Sequence, residues 1–410
     1  MKRLKKKKLN GGVVVNETGS VTRDPVCGRK QKLAEIQQAL ISDPVDIETL
    51  RRAAGSRGGL LTDELRRKVW PKLLNINVYD LPYKPGRDVR ENHKDYNQVV
   101  LDVRRSMKRF PKGMPATERS ALQEQLIDII LDILKRNPQL HYYQGYHDVA
   151  VTLLLVAGKR MAIAMLDKLS NYHLRDFMDS TMDSTKHILN YLMPILEQVD
   201  LELHDFMVRA EVGTIFALSW LITWYGHVLS EFKHTLRLYD FFLASHPLMP
   251  IYLAAAIVLH REKEVKQTEC DMAMVHHLLS RIPEDLPYEL LIGQAQDLFE
   301  QYPPSLLAKR AALQSRKCLS ISTFQAFQRS TLHQRPDSVL QRLTKAQGST
   351  TSRHAPPHSG LEAALPGPGG KGNRLVKVAV WGLSATLGAA VLAVAQTAME
   401  WGPEVLLQLF

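Results

Sequence analysis

An all-α fold follows from three observations. Apolar residues recur at three- and four-residue spacing through most of the stretch from about Lys32 to Arg310. Turn and breaker residues punctuate that pattern, and sustained period-two alternation is absent. So many helices of differing length imply a multi-helix orthogonal array rather than a simple bundle. Residues 1–30 are basic and glycine-rich and predict a disordered tail. Leu33, Ile36, Leu40 and Ile41 mark a first helix, Asp43-Pro44 interrupts it, and a second helix runs through Leu50, so 31–58 is a pair of N-terminal helices. Gly58-Gly59 breaks the chain, and Thr62 is placed to cap a helix over Asp63–Leu74. Thr117–Lys135 carries the stripe Leu122, Leu126, Ile129, Ile130 and Ile133, and Asn137-Pro138 ends it. Residues 59–317 form the main helical domain by this pattern. Residues 318–373, rich in Ser, Gln, Arg, Pro and Gly, predict a flexible linker with one short helix near Ser338–Leu343.

The last segment is of a different kind. Val378–Met399 holds no charge, and as a helix at about 1.5 Å per residue it would span a hydrocarbon core of roughly 30 Å. Lys371, Arg374 and Lys377 precede it, so the positive-inside rule places the N-terminal bulk in the cytosol. The expected arrangement is a transmembrane tail anchor over 374–400 with a short lumenal end, 401–410. Two other uncharged stretches, 212–230 and 241–260, contain His, Tyr, Ser and Pro and read as buried core helices. Trp70, Trp220 and Trp224 read as core residues too.

Composition closes several routes. Three scattered cysteines are too few for a disulfide framework or a thiolate zinc site. The net charge of +11 is carried in good part by the terminal lysines, without the interleaved aromatics of a nucleic-acid surface. His147-Asp148 lacks a matching second cluster. Cys270, Asp271, His276 and His277 lack ligand spacing, so no metal site is expected.

Two short motifs carry the chemistry. One is Val99-x-x-Asp102-x-x-Arg105; the other is Tyr142-x-Gln144-Gly145. An arginine and a glutamine are the groups a GTPase needs for fast hydrolysis: a cation for the transferring phosphoryl group and an amide to orient the attacking water. The chain has no recognisable nucleotide site of its own. On a helix Asp102 and Arg105 share a face, whereas Arg104 points about 100° away. The two motifs resemble the IxxDxxR and YxQG fingerprints of the TBC domain, the catalytic module of GTPase-activating proteins for Rab GTPases. Leu65 to Leu73, Phe216 to Trp220 and Arg237 to Leu243 resemble further TBC motifs, with Tyr239 where tryptophan is usual.

The resemblance implies that Arg105 and Gln144 are fingers inserted in trans into a GTP-bound Rab, which brings the GTP and Mg²⁺; no cofactor belongs to the chain itself. Asp102, Tyr142 and Gly145 would support the fingers, and Arg66 would be structural or interface-forming rather than catalytic. The likeness is sharpest to members anchored in the endoplasmic reticulum, which implies Rabs of the early secretory pathway and that membrane as location. The competing expectations are a Rab-binding scaffold that accelerates nothing, and a multi-span membrane protein.

Overall fold

The computed structural model describes residues 25–310 and 318–351, plus two short strands near the N-terminus. Val13–Val15 and Val21–Arg23 pair antiparallel, and α1 (Pro25–Ile41) follows. The strands and the first turn of α1 fall inside the expected disordered tail. Every other regular element described is helical: α2 (Ile47–Gly55), α3 (Asp63–Leu73), α4 (Tyr96–Arg105), α5 (Ala116–Arg136), α6 (Tyr146–Ala157) and α7 (Lys159–Asn171), with short 3-10 turns between some of them. The chain continues through α8 (Asp183–Leu189), α9 (Leu192–Val199), α10 (Leu201–Arg209), α11 (Leu218–Ile222) and α12 (Phe232–Ala244). It then forms α13 (Met249–His260), α14 (Glu262–Gln267), α15 (Met272–Ser280), α16 (Tyr288–Gln301), α17 (Pro304–Arg310), α18 (Leu319–Ser330) and α19 (Asp337–Thr351).

Local chemistry sets the boundaries. Thr62 caps α3 as the sequence predicts, accepting from the Leu65 amide at 3.3 Å. Asp46, Asp200 and Asp271 cap α2, α10 and α15 in the same way. At the far end of α5, the Asn137 side chain donates to the Ile133 carbonyl at 2.9 Å, and Pro138 prevents continuation.

The two uncharged stretches are core. Met249 to Val258 of α13 are buried all round the helix, which packs against α9 and α16. The stretch 212–230 breaks into a 3-10 turn, α11 and a tight turn, and it buries Trp220 and Trp224. Among the described residues no helix is long and apolar enough to cross a membrane. The expected anchor, 374–400, and the end segment, 401–410, lie outside the described residues.

The expected linker needs correction. α18 begins on a buried carboxylate: Asp176 accepts the amides of Leu319 at 2.8 Å and Ser320 at 2.9 Å. Its Phe327 packs on Tyr172, ring centroids 4.5 Å apart, and on His173. Beyond it, the ammonium of Lys72, itself 1% exposed, reaches Asp337 of α19 at 2.8 Å. The Val45 amide donates to Gln334 at 2.8 Å. The Ser- and Gln-rich composition masked two apolar residues, Phe324 and Phe327, that sit three apart on one helix face.

Candidate functional site

Both motifs end at loops, and one carboxylate joins them. Asp102 lies on the inner face of α4 with no exposure. Its Oδ1 accepts from Arg105 Nη2 at 2.6 Å and from Gln98 Nε2 at 2.9 Å. Its Oδ2 accepts from the Tyr142 hydroxyl at 2.8 Å. The aspartate of the first motif and the tyrosine of the second are therefore bonded directly, and the two loops hold one relative position. Arg105 is the last residue of α4, where the helix dipole favours a cation. Its side chain is 46% exposed although tethered, so its remaining N–H donors face outward. Arg104 is exposed and makes no hydrogen bond among the described residues. The helical spacing thus pairs Arg105, and not Arg104, with Asp102.

Gln144 sits in the connection between α5 and α6. Its amide makes no hydrogen bond among the described residues, whereas the residues around it are fixed. His141 donates its amide to Met178 at 2.9 Å, and the Tyr143 hydroxyl donates to the Ile222 carbonyl at 2.9 Å. The Tyr142 and Tyr143 rings stand edge-on to Tyr146, with centroids 6.2 Å and 5.5 Å away. Burial pushes both phenols well above the ordinary range, for Tyr142 reinforced by Asp102, so they remain donors. Gly145 has φ +104°, and a Cβ there would stand 2.9 Å from Thr223 Cγ2. Conformation and space both demand glycine. A rigid frame thus presents a free amide.

The wall behind that frame is a strained turn. Trp224 and Tyr225, with φ +47° and +63°, occupy the left-handed region that bulky residues avoid. Tyr225 is held there by its amide bond to Trp220 at 2.6 Å and its hydroxyl bond to Pro250 at 2.8 Å.

Beside the turn lies a buried ionic group that the sequence reading did not find. Asp148 in the first turn of α6 is 1% exposed. Arg109 Nε lies 3.2 Å from it and His227 Nδ1 3.3 Å. Burial pulls the carboxyl up, yet the close approach of His227 and the charges of His147 and Arg109 outweigh it and hold the pKa below the usual value. His147-Asp148 was visible only as a dipeptide without a metal partner; its actual partners come from the loops at 107–109 and 223–227.

Arg66 does not join this site. It is buried and forms a fork on Asp240, Nε to Oδ1 at 3.0 Å and Nη2 to Oδ2 at 2.9 Å. The same carboxylate accepts from Trp70 at 2.8 Å and from the Leu60 amide at 3.0 Å. Gly59 is required here because a Cβ would meet Asp240 at once. Arg237, one turn before Asp240, binds Glu289 and the carbonyls of Ala54, Gly55 and Ser56. Arg66 was expected to be structural or interface-forming rather than catalytic, and here it welds α3 to α12.

Three carboxylates, Asp200, Glu202 and Glu262, converge elsewhere, and the Lys266 ammonium lies among them at 3.4, 2.7 and 2.7 Å.

Comparison with known proteins agrees with the motifs. The Rab-GTPase-TBC domain family model matches residues 63–266. The chain is 62% identical to TBC1 domain family member 20 of Homo sapiens over 93% of each chain, and 60% identical to the Mus musculus protein over the same shares. It is 32% identical to the GTPase-activating protein gyp10 of Schizosaccharomyces pombe, over 71% of this chain and 78% of that one. Among solved structures the fold resembles the Ypt/Rab-GAP domain of Gyp1p. The TM-score is 0.54 at 15% identity, covering 67% of this chain and 99% of that one. The chain belongs to the TBC family of Rab GTPase-activating proteins.

Proposed function

We propose that this activator works through two fingers, Arg105 and Gln144, inserted together into the nucleotide site of a GTP-bound Rab. The observation that carries the reading is the shared carboxylate: Asp102 lies 2.6 Å from Arg105 and 2.8 Å from Tyr142, two residues before Gln144. The Rab carries the GTP and Mg²⁺. As the γ-phosphoryl group transfers, charge grows on its oxygens, and the outward N–H donors of Arg105 are suited to them. An arginine finger is worth about three to five orders of magnitude in rate. The Gln144 carbonyl accepts a proton of the attacking water while its NH₂ is free to donate, which aligns the water in line with the leaving group. Neither side chain changes covalently.

The apolar run Val378–Met399 anchors the chain in the endoplasmic-reticulum membrane with the helical domain in the cytosol, where it meets Rabs of the early secretory pathway. Single-turnover GTP hydrolysis by a panel of purified Rabs tests the mechanism with the wild-type chain, Arg105→Ala and Gln144→Ala. Each substitution should remove most of the acceleration. Full activity of Arg105→Ala on every Rab that responds would refute the proposal, and Rab binding without any acceleration by the wild type would favour a scaffold.

A further inference from the structure

The resting position of Arg105 poses a problem that Gln98 solves. Asp102 is fully buried, and Arg105 Nη2 supplies one of its three hydrogen bonds. An arginine that turns toward a phosphoryl group gives up this bond in whole or in part. A buried carboxylate oxygen left without a donor is costly, and that cost would be added to the barrier.

Gln98 stands one helical turn before Asp102, and its Nε2 donates to the same oxygen, Oδ1, at 2.9 Å. A carboxylate oxygen only accepts, so the amide nitrogen must face it. Gln98 is exposed, and among the described residues its side chain makes no other hydrogen bond, so its stem is not needed for the core. Tyr142 covers the other oxygen, Oδ2. With Arg105 displaced, each oxygen of Asp102 keeps one donor. Without Gln98, Oδ1 keeps none.

We propose that Gln98 is a positioning residue for the arginine finger: it holds Asp102 Oδ1 when Arg105 moves to the phosphoryl group, and so lowers the cost of deploying the finger. This rests on reading Arg105 as the finger. Gln98 touches neither nucleotide nor water. Its effect belongs to the step in which Arg105 is redirected, and it should appear in the saturating rate rather than in the encounter with the Rab.

The test is single-turnover GTP hydrolysis by a Rab that the full wild-type chain activates, with increasing concentrations of wild type, Gln98→Leu, Arg105→Ala and the double variant. Leucine keeps the helix propensity and removes the donor. The expected result is a saturating rate about tenfold lower for Gln98→Leu, in line with a lost hydrogen bond to a charged group, with a half-saturating concentration within about twofold of wild type. In the Arg105→Ala background the same substitution should change the rate less than about twofold, because no finger remains to be released. A melting temperature like that of wild type accompanies this result. The inference is overturned if Gln98→Leu matches the wild-type saturating rate, if it raises only the half-saturating concentration, or if it slows the Arg105→Ala variant equally. Absence of acceleration by the wild type on every Rab would instead overturn the two-finger function, and this inference with it.

Discussion

Arg66→Ala separates a structural arginine from a catalytic one. Asp240 has no exposure and the Arg66 side chain is 11% exposed, so the substitution strips the cation from a carboxylate that water cannot reach. Breaking a buried pair by removing one partner costs about 3–5 kcal/mol. The donors Trp70 and Leu60 remain at 2.8 and 3.0 Å, which puts the expected loss at the low end, about 3 kcal/mol. For a domain of this size each kcal/mol corresponds to about 2–4 °C, so the melting temperature should fall by about 10 °C. Thermal unfolding followed by circular dichroism measures this. GTPase activation assayed well below the transition should remain within about twofold of wild type per folded molecule. An unchanged melting temperature, or lost activation at an unchanged melting temperature, would refute the structural assignment.

Gly145→Ala forces a Cβ toward Thr223 at a φ that L-residues rarely adopt, costing about 1–2 kcal/mol. We expect a folded protein whose saturating activation rate falls at least about tenfold as Gln144 is displaced; an unaffected rate would contradict the rigid frame. Burial lowers His173 to about 3 and His246 to about 4. From pH 6.5 down to about 4 the unfolded chain therefore binds protons that the folded one refuses. Stability is full above about pH 6.5 and should fall on acidification by about 1.4 kcal/mol per pH unit for each histidine. Urea midpoints at pH 7 and pH 5 check the sign, and His173→Phe should flatten the slope. A chain ending at residue 317 loses the Phe327 contact and the donors on Asp176, and it should melt well below one ending at residue 351. Equal melting temperatures would show α18 to be dispensable.

Much of the fold was legible because periodicity and caps are local. Thr62, the stripe in α5 and the Asn137-Pro138 stop each act within a few residues. The pairing of Arg105, rather than Arg104, with Asp102 was legible for the same reason: three residues along a helix return to one face. What stayed hidden depends on distant partners. Arg66 meets Asp240, and Asp148 meets Arg109 and His227, only after the helices pack. The link from Tyr142 to Asp102 was hidden as well, since the two residues lie forty positions apart and meet only when the loop docks on α4. α18 was missed because polar composition weighs against a core role, while a helix needs few apolar residues on one face to dock.

The most direct test of the two-finger account uses a responsive Rab whose own catalytic glutamine is replaced by alanine. If Gln144 positions the water in trans, the wild-type chain should still accelerate GTP hydrolysis by this Rab, and Gln144→Ala should abolish that acceleration. Loss of acceleration with the wild-type chain, while binding to the altered Rab persists, would mean that the Rab supplies the glutamine and would contradict the account.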